Sequence, residues 1–234
     1  MLGLSPVSLA DVHAASERIG ASLPRTPLVY SEGCGAWLKL ESRQITGAYK
    51  VRGALNALKC QLERGDRRPV IAASAGNHGA GVAWAARGLG LQAQIVVPRC
   101  APRVKIRRIR SLGAEVITQG ATFDESFSWA QREAQLRDWR FLHAFDEPDV
   151  IAGQGTIALE LLALRPDVVV LPIGGGGLAS GVSLVLRAAG IRVVGVQVEG
   201  VDAMARVLWG GPGRIEPAET VADGLRVCEA GHLT

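Results

Sequence analysis

Aromatic side chains are scarce, at 5% of the 234 residues, and the four cysteines lie far apart at positions 34, 60, 100 and 228 with no CxxC pair. That spacing argues against a disulfide framework and a thiolate zinc site, and it fits a reducing, cytoplasmic compartment. No basic segment leads into an apolar block at the start, so no secretory leader is expected. Repeats, low-complexity tracts and long linkers are also missing. Neither sign of charge dominates: 26 basic residues against 22 acidic ones leave a net charge of +4. Only the stretch 99–110 is densely basic, with Arg99, Arg103, Lys105, Arg107, Arg108 and Arg110. No aromatic interleaves with those bases, so the stacking half of a nucleic-acid site is lacking and a solvated helix face is expected. The longest apolar run, from Val168 to Leu186, is broken by Pro172 and four glycines. It reads as strand, loop and helix rather than a membrane span.

What the chain has in quantity is glycine, 29 residues, within a composition that is 48% hydrophobic. From residue 70 onward, β-rich runs (Val70 to Ala73, Gln94 to Val97, Glu115 to Thr118, Asp167 to Ile173, Arg192 to Val198) alternate with helical stretches at 79–89, 102–112, 122–138, 154–164 and 178–189. Such alternation predicts an α/β fold of mostly parallel sheets, the strands apolar throughout because helices cover both faces. Upstream, 6–22 reads as an amphipathic helix, Arg25-Thr26-Pro27-Leu28 as an extended turn, and Trp37 to Leu40 as a short strand. Thr46 is expected to cap a helix that buries Val51, Leu55, Leu58 and Leu62.

Three glycine-containing segments are expected to follow strands and open helices: Ser74-Ala75-Gly76-Asn77-His78-Gly79, Gly153-Gln154-Gly155-Thr156, and Gly174-Gly175-Gly176-Gly177-Leu178. Such a turn can bind an anion, because its backbone N–H groups have no intrahelical partner and the helix dipole adds partial positive charge. Four consecutive glycines favour a phosphate most strongly, since backbone can approach it without side-chain interference. A dinucleotide-binding G-x-G-x-x-G after the first strand is not present. Lys50 falls in the first turn of its helix, where the dipole disfavours a cation and favours a neutral, nucleophilic amine. A lysine together with a phosphate cradle is the pair that pyridoxal phosphate requires.

Six segments, in order, resemble the fold-type II pyridoxal-phosphate enzymes of the threonine/serine dehydratase and serine racemase group: Arg25 to Leu28, Glu41 to Ala54, Ser74 to Gly81, Val150 to Thr156, Gly174 to Leu178, and Ala222-Asp223-Gly224. The resemblance implies pyridoxal 5'-phosphate as cofactor and Lys50 as both its Schiff-base lysine and the base that removes the substrate α-proton. Tyr49 takes the place of the usual phenylalanine beside the cofactor ring, and Asn77 would bond the ring's 3-hydroxyl. Ser74, Ala75, Gly76 and His78 would line a substrate-carboxylate loop. Gly174, Gly175, Gly176, Gly177 and Leu178 would hold the phosphate. It implies two lobes, a large one of residues 1–68 and 147–234 and a small one of 69–146. The expected reaction is β-elimination from L-threonine, L-serine or a related 3-hydroxy amino acid, giving a 2-oxo acid and ammonia. A homo-oligomer, dimer or tetramer, is expected, with no nucleic-acid or membrane partner.

Three departures shape the expectation. Racemases of the group carry serine at the position of Ala75, and an alanine cannot transfer a proton, so elimination is favoured over racemisation. Glu199 and Asp202 only weakly match an acidic cation-binding stretch; a surface role and no metal are expected. Members of the group also continue past Ala222-Asp223-Gly224 for longer than this chain does, so the expectation is either a truncated product or a partner chain that supplies what is missing. The alternatives are a weak or silent truncated homologue that binds small anions or a partner through the same scaffold, an amino-acid racemase, and a β-replacement synthase. The last two are disfavoured by Ala75, and the synthase also by Arg52-Gly53-Ala54.

Overall fold

A computed structural model describes residues 7–216 and 218–234. In chain order the elements are α1 (Leu9–Gly20), β1 (Leu28–Ser31), β2 (Ala36–Lys39), α2 (Lys50–Glu63), β3 (Val70–Ala73), α3 (Asn77–Gly88), β4 (Ala93–Val97), α4 (Arg103–Ser111) and β5 (Glu115–Thr118). They continue with α5 (Phe123–Leu136), β6 (Arg140–Phe141), α6 (Pro148–Leu159), β7 (Val168–Pro172), α7 (Gly177–Ala188), β8 (Arg192–Val196) and α8 (Ala203–Leu208). The expected α/β class with parallel sheets holds. Contacts divide the chain into two units, one of residues up to Ser16 with Ala144–Thr234 and one of Glu17–His143. Residues 17–68 group here with 69–143 because α2 packs along α3.

In the Glu17–His143 unit, four parallel strands run in the order β5-β4-β3-β6. The central two, Val70–Ala73 and Ala93–Val97, are buried at every residue, which is why they read as continuous apolar runs. Helix α5 closes one face through Ala130 and Ala134, packed with Ile71, Ala73, Val96 and the rings of Phe127, Trp139 and Phe141. Helix α3 also packs on β3 and β4 and buries Val82, Ala83 and Ala86. An antiparallel hairpin, β1 with β2, pairs Leu28 with Lys39 and Ser31 with Ala36. Arg25 to Leu28 therefore leads into a strand rather than remaining a turn.

In the other unit, β7 and β8 form a two-stranded parallel sheet. Its strands are apolar like β3 and β4, yet Val170 is 65% exposed and Val196 50%. The expectation that helices cover both faces of every strand thus fails for this sheet among the described residues. Helices α6 and α7 pack so closely that a Cβ at Gly155 would lie 2.7 Å from the Gly181 carbonyl, and one at Gly181 would collide with the Ile151 carbonyl. That contact explains Gly153-Gln154-Gly155-Thr156 and corrects its reading. The segment opens no helix; it lies inside α6, which begins at Pro148 in the first-turn position proline favours. Gly155 serves helix packing. The helix expected to end near Leu164 stops at Leu159, and Leu162–Leu164 is a separate 3-10 turn.

Thr46 is also corrected. Helix α2 starts four residues later with Tyr49 at its cap, and the Thr46 hydroxyl donates locally to the Ala48 carbonyl. Gly47, at φ +66°, makes the turn between them. No helix among the described residues is long and apolar enough to cross a membrane.

Candidate active site

Lys50 is the first residue of α2 and is half-buried, with Nζ 5.4 Å from the centroid of the Tyr49 ring. Its backbone lies against α3: a Cβ at Gly81 would come within 3.1 Å of the Val51 nitrogen and Cα and 3.2 Å of the Lys50 carbonyl carbon. Glycine at 81 is what lets the two helices approach at this point. On the other side of the preceding turn, the Arg108 guanidinium donates to the Thr46 carbonyl. Arg108 is thus docked, although the basic helix face was expected to be solvated as a whole.

The 74–78 loop leaves the end of β3 and enters α3. Ser74 accepts the Gly76 amide at 3.1 Å, which fixes the turn, and Gly76 caps the helix with open space where a Cβ would stand. Ser74, Ala75 and Gly76 are half-buried and Asn77 is exposed. His78 turns inward. It is 3% exposed, and its Nε2 meets the Leu142 carbonyl at 3.1 Å, so Nε2 carries the proton and donates. Nδ1 is left as a buried acceptor with no hydrogen-bond partner among the described residues. Burial, then the nearby Lys50 charge, pushes the imidazole down to about 3, against the opposing pull of the Leu142 bond. A neutral ring held this way has no donor to offer a carboxylate; only the His78 backbone amide, in the first turn of α3, does.

Gly174, Gly175, Gly176, Gly177 and Leu178 run from the end of β7 into α7, in the other unit. Among the described residues none of their five amides donates a hydrogen bond within the chain. Gly176 adopts φ +100°, a left-handed conformation that strains any other residue. Cβ atoms at Gly175 and Gly177 would strike Phe145, and one at Gly176 would strike Thr234 and Met204. The loop is braced from behind, since Gly175 accepts from the Thr234 hydroxyl at 2.7 Å and from the Gly231 amide. Asp146 in turn accepts the amides of His232 and Leu233. Five amides without a partner among the described residues, three of them on glycines where a side chain would clash, stand at a helix start and form a cradle suited to a phosphate dianion.

The sequence pattern does not single out Phe145, Asp146 or Gly81, because Phe145 fills space, Gly81 leaves it and Asp146 accepts bonds, each at a distant segment. Nor does it single out the ion pair of Glu41 with the buried Arg52, although both lie in the run that was noticed. Asp202 pairs with Arg206 one turn on in α8, as a surface residue would.

The family model described as "Pyridoxal-phosphate dependent enzyme" matches residues 21–234. The chain is 44% identical over 239 residues to the L-threonine ammonia-lyase of Thermotoga maritima, covering 97% of this chain and 60% of that protein. It therefore spans under two thirds of that relative's length. Among solved structures, a threonine deaminase from T.th. superposes with a TM-score of 0.89 at 37% identity, over 97% of this chain and 77% of that one. Maize serine racemase superposes with a TM-score of 0.91 at 32% identity, over 98% and 73%.

Proposed function

This chain belongs to the family of pyridoxal-phosphate-dependent enzymes, and from that premise we propose that it deaminates L-threonine, L-serine or a related 3-hydroxy amino acid. Water is eliminated across Cα and Cβ, and hydrolysis of the enamine product gives a 2-oxo acid and ammonia. The observation that carries this reading is the 44% identity to an L-threonine ammonia-lyase over 97% of the chain. The residues of each unit, taken separately, suit the cofactor: a lysine at a helix start in one, and five donor amides, four of them on glycines, in the other. When bound, pyridoxal phosphate supplies an electron sink that stabilises negative charge at Cα.

In this reading the chain's own groups have separate tasks. The Lys50 amine would hold the cofactor, and its Nζ would accept the substrate α-proton. The amides of Gly174 to Leu178 would take the phosphate, and Asn77, exposed at the head of α3, would bond the ring hydroxyl. Tyr49 would stand beside the ring. The Ser74–His78 loop receives the substrate carboxylate through backbone donors and the Ser74 hydroxyl, with His78 taking part by its amide alone. The family's two lobes, 1–68 with 147–234 and 69–146, a cytoplasmic location, and a homo-oligomeric state of dimer or tetramer belong to the same reading.

The likeness to serine racemase favours racemisation as a second reading. That reaction needs a proton carrier on the face opposite Lys50, and Ala75 provides none. The test is visible absorbance with added pyridoxal phosphate, together with 2-oxo acid release from L-threonine, for wild type and Lys50→Ala. A cofactor–lysine band and product formation, both lost in the variant, are expected. A wild type with neither overturns the reading.

A further inference from the structure

We propose that Arg52, Glu41 and Thr26 form a buried clamp that aims the Lys50 amine; the proposal rests on the reading of Lys50 as the cofactor-bearing base. Arg52 stands two residues after Lys50, in the first turn of α2, with its side chain 3% exposed. Its fork meets Glu41 in two parallel bonds, Nε to Oε2 at 2.9 Å and Nη2 to Oε1 at 2.8 Å. Oε1 also accepts the Thr26 hydroxyl at 2.5 Å. Thr26 is held in turn, since its carbonyl accepts from Lys39 Nζ at 2.7 Å and the neighbouring Pro27 carbonyl accepts the Leu40 amide at 2.9 Å.

Stability does not account for this arrangement. A cation in the first turn opposes the helix dipole. A buried ion pair is on average no more stabilising than well-packed apolar side chains of the same volume. What a bidentate pair adds is geometry, because the planar fork and the carboxylate fix distance and rotation together. Glu41 and Arg52 bracket the turn that ends at Lys50, so their bond closes that segment into a loop pinned at both ends. The Arg108 bond to the Thr46 carbonyl and the close face of Gly81 restrain the same segment from two other directions. The backbone at Lys50 is thereby over-determined, while the side chain stays accessible. A nucleophile that must first hold one group and then take a proton from another depends on such restraint.

The test compares wild type with Glu41→Gln, Arg52→Lys and Thr26→Val. Three readouts are taken: the rate of borohydride-fixed pyridoxyl labelling of Lys50 by peptide mass spectrometry, amide hydrogen exchange over residues 44–52 without cofactor, and kcat and KM for L-threonine. Lys59 and Lys105 serve as labelling controls. Glu41→Gln and Arg52→Lys are expected to slow Lys50 labelling about tenfold, to raise exchange over 44–52, and to lower kcat about 10- to 100-fold with KM within about twofold. Thr26→Val, which removes one bond from Glu41, is expected to shift all three in the same direction by less. Folded variants with unchanged Lys50 labelling and kcat overturn the proposal. So does a lowered Tm with unchanged labelling, which would make the pair merely structural. If Glu41→Gln does not fold, Arg52→Lys and Thr26→Val decide by the same readouts. If wild type labels at Lys50 but does not act on L-threonine, the proposed function fails, and the clamp stands or falls on labelling and exchange.

Discussion

At the scale of single residues, His78 and Ala75 each yield a prediction. The buried His78 ring stays neutral in the folded protein down to about pH 3, whereas an unfolded histidine takes up its proton near 6.5. Because its folded value is lowered, the unfolded state binds more protons between those limits. Stability present above pH 6.5 is therefore lost as pH falls through that window, by up to about 1.4 kcal/mol per pH unit. Urea midpoints at pH 7.5 and 5.0 should show an acid loss about 2 kcal/mol smaller in His78→Asn than in wild type. On the proposed reading, in which position 75 faces the side of the substrate opposite Lys50, Ala75→Ser would return a proton-carrying hydroxyl there. Incubation with L-serine should then yield D-serine by chiral chromatography, with elimination still the faster reaction; its complete absence would show that a hydroxyl at 75 is not sufficient.

Secondary-structure elements depend on where glycine is obligatory. At Gly181 a methyl group has no room between α6 and α7, because the Ile151 carbonyl and the Gly155 amide already occupy the space. Gly181→Ala should cost about 3 kcal/mol or more, read as a drop in the denaturant midpoint. Gly88, exposed at the end of α3, has nothing within 4 Å of a would-be Cβ and no positive φ. Gly88→Ala should leave stability unchanged or raise it by about 0.5–1 kcal/mol. Both are helical glycines, and nothing in their immediate neighbours along the chain distinguishes them.

Across the whole molecule, the two parallel sheets differ in how far they are covered. Val96 in β4 is fully buried, whereas Val170 in β7 is 65% exposed. Val96→Thr places a hydroxyl in an apolar layer and should cost about 1–3 kcal/mol, while Val170→Thr should stay within about 0.5 kcal/mol. Equal losses in a urea titration would mean that the β7–β8 face is covered in solution. Two strands of the same apolar character thus have different environments, and the difference lies in which helices reach them.

The chain by itself determined the α/β class, β3 and β5 to the residue, and Lys50 at the start of a helix, because these depend on local periodicity and turn chemistry. The glycine cradle after β7 was legible for the same reason: four glycines in a row are readable wherever they fold. Packing decided the rest. Gly153 to Thr156 has the composition of a turn, yet α6 absorbs it because α7 needs a helix without side chains at that contact. Thr46 has the character of a cap, but Gly47 and the docked Arg108 make a turn there and delay the helix to Lys50. His78 reads as a ligand-facing residue, and only the Leu142 carbonyl, 64 positions away, turns its ring inward. The bond joining Arg52 to Glu41, 11 residues apart, likewise exists only once the loop between them closes. Distances of that kind are absent from local sequence, because they are set by which segments a compact chain brings face to face.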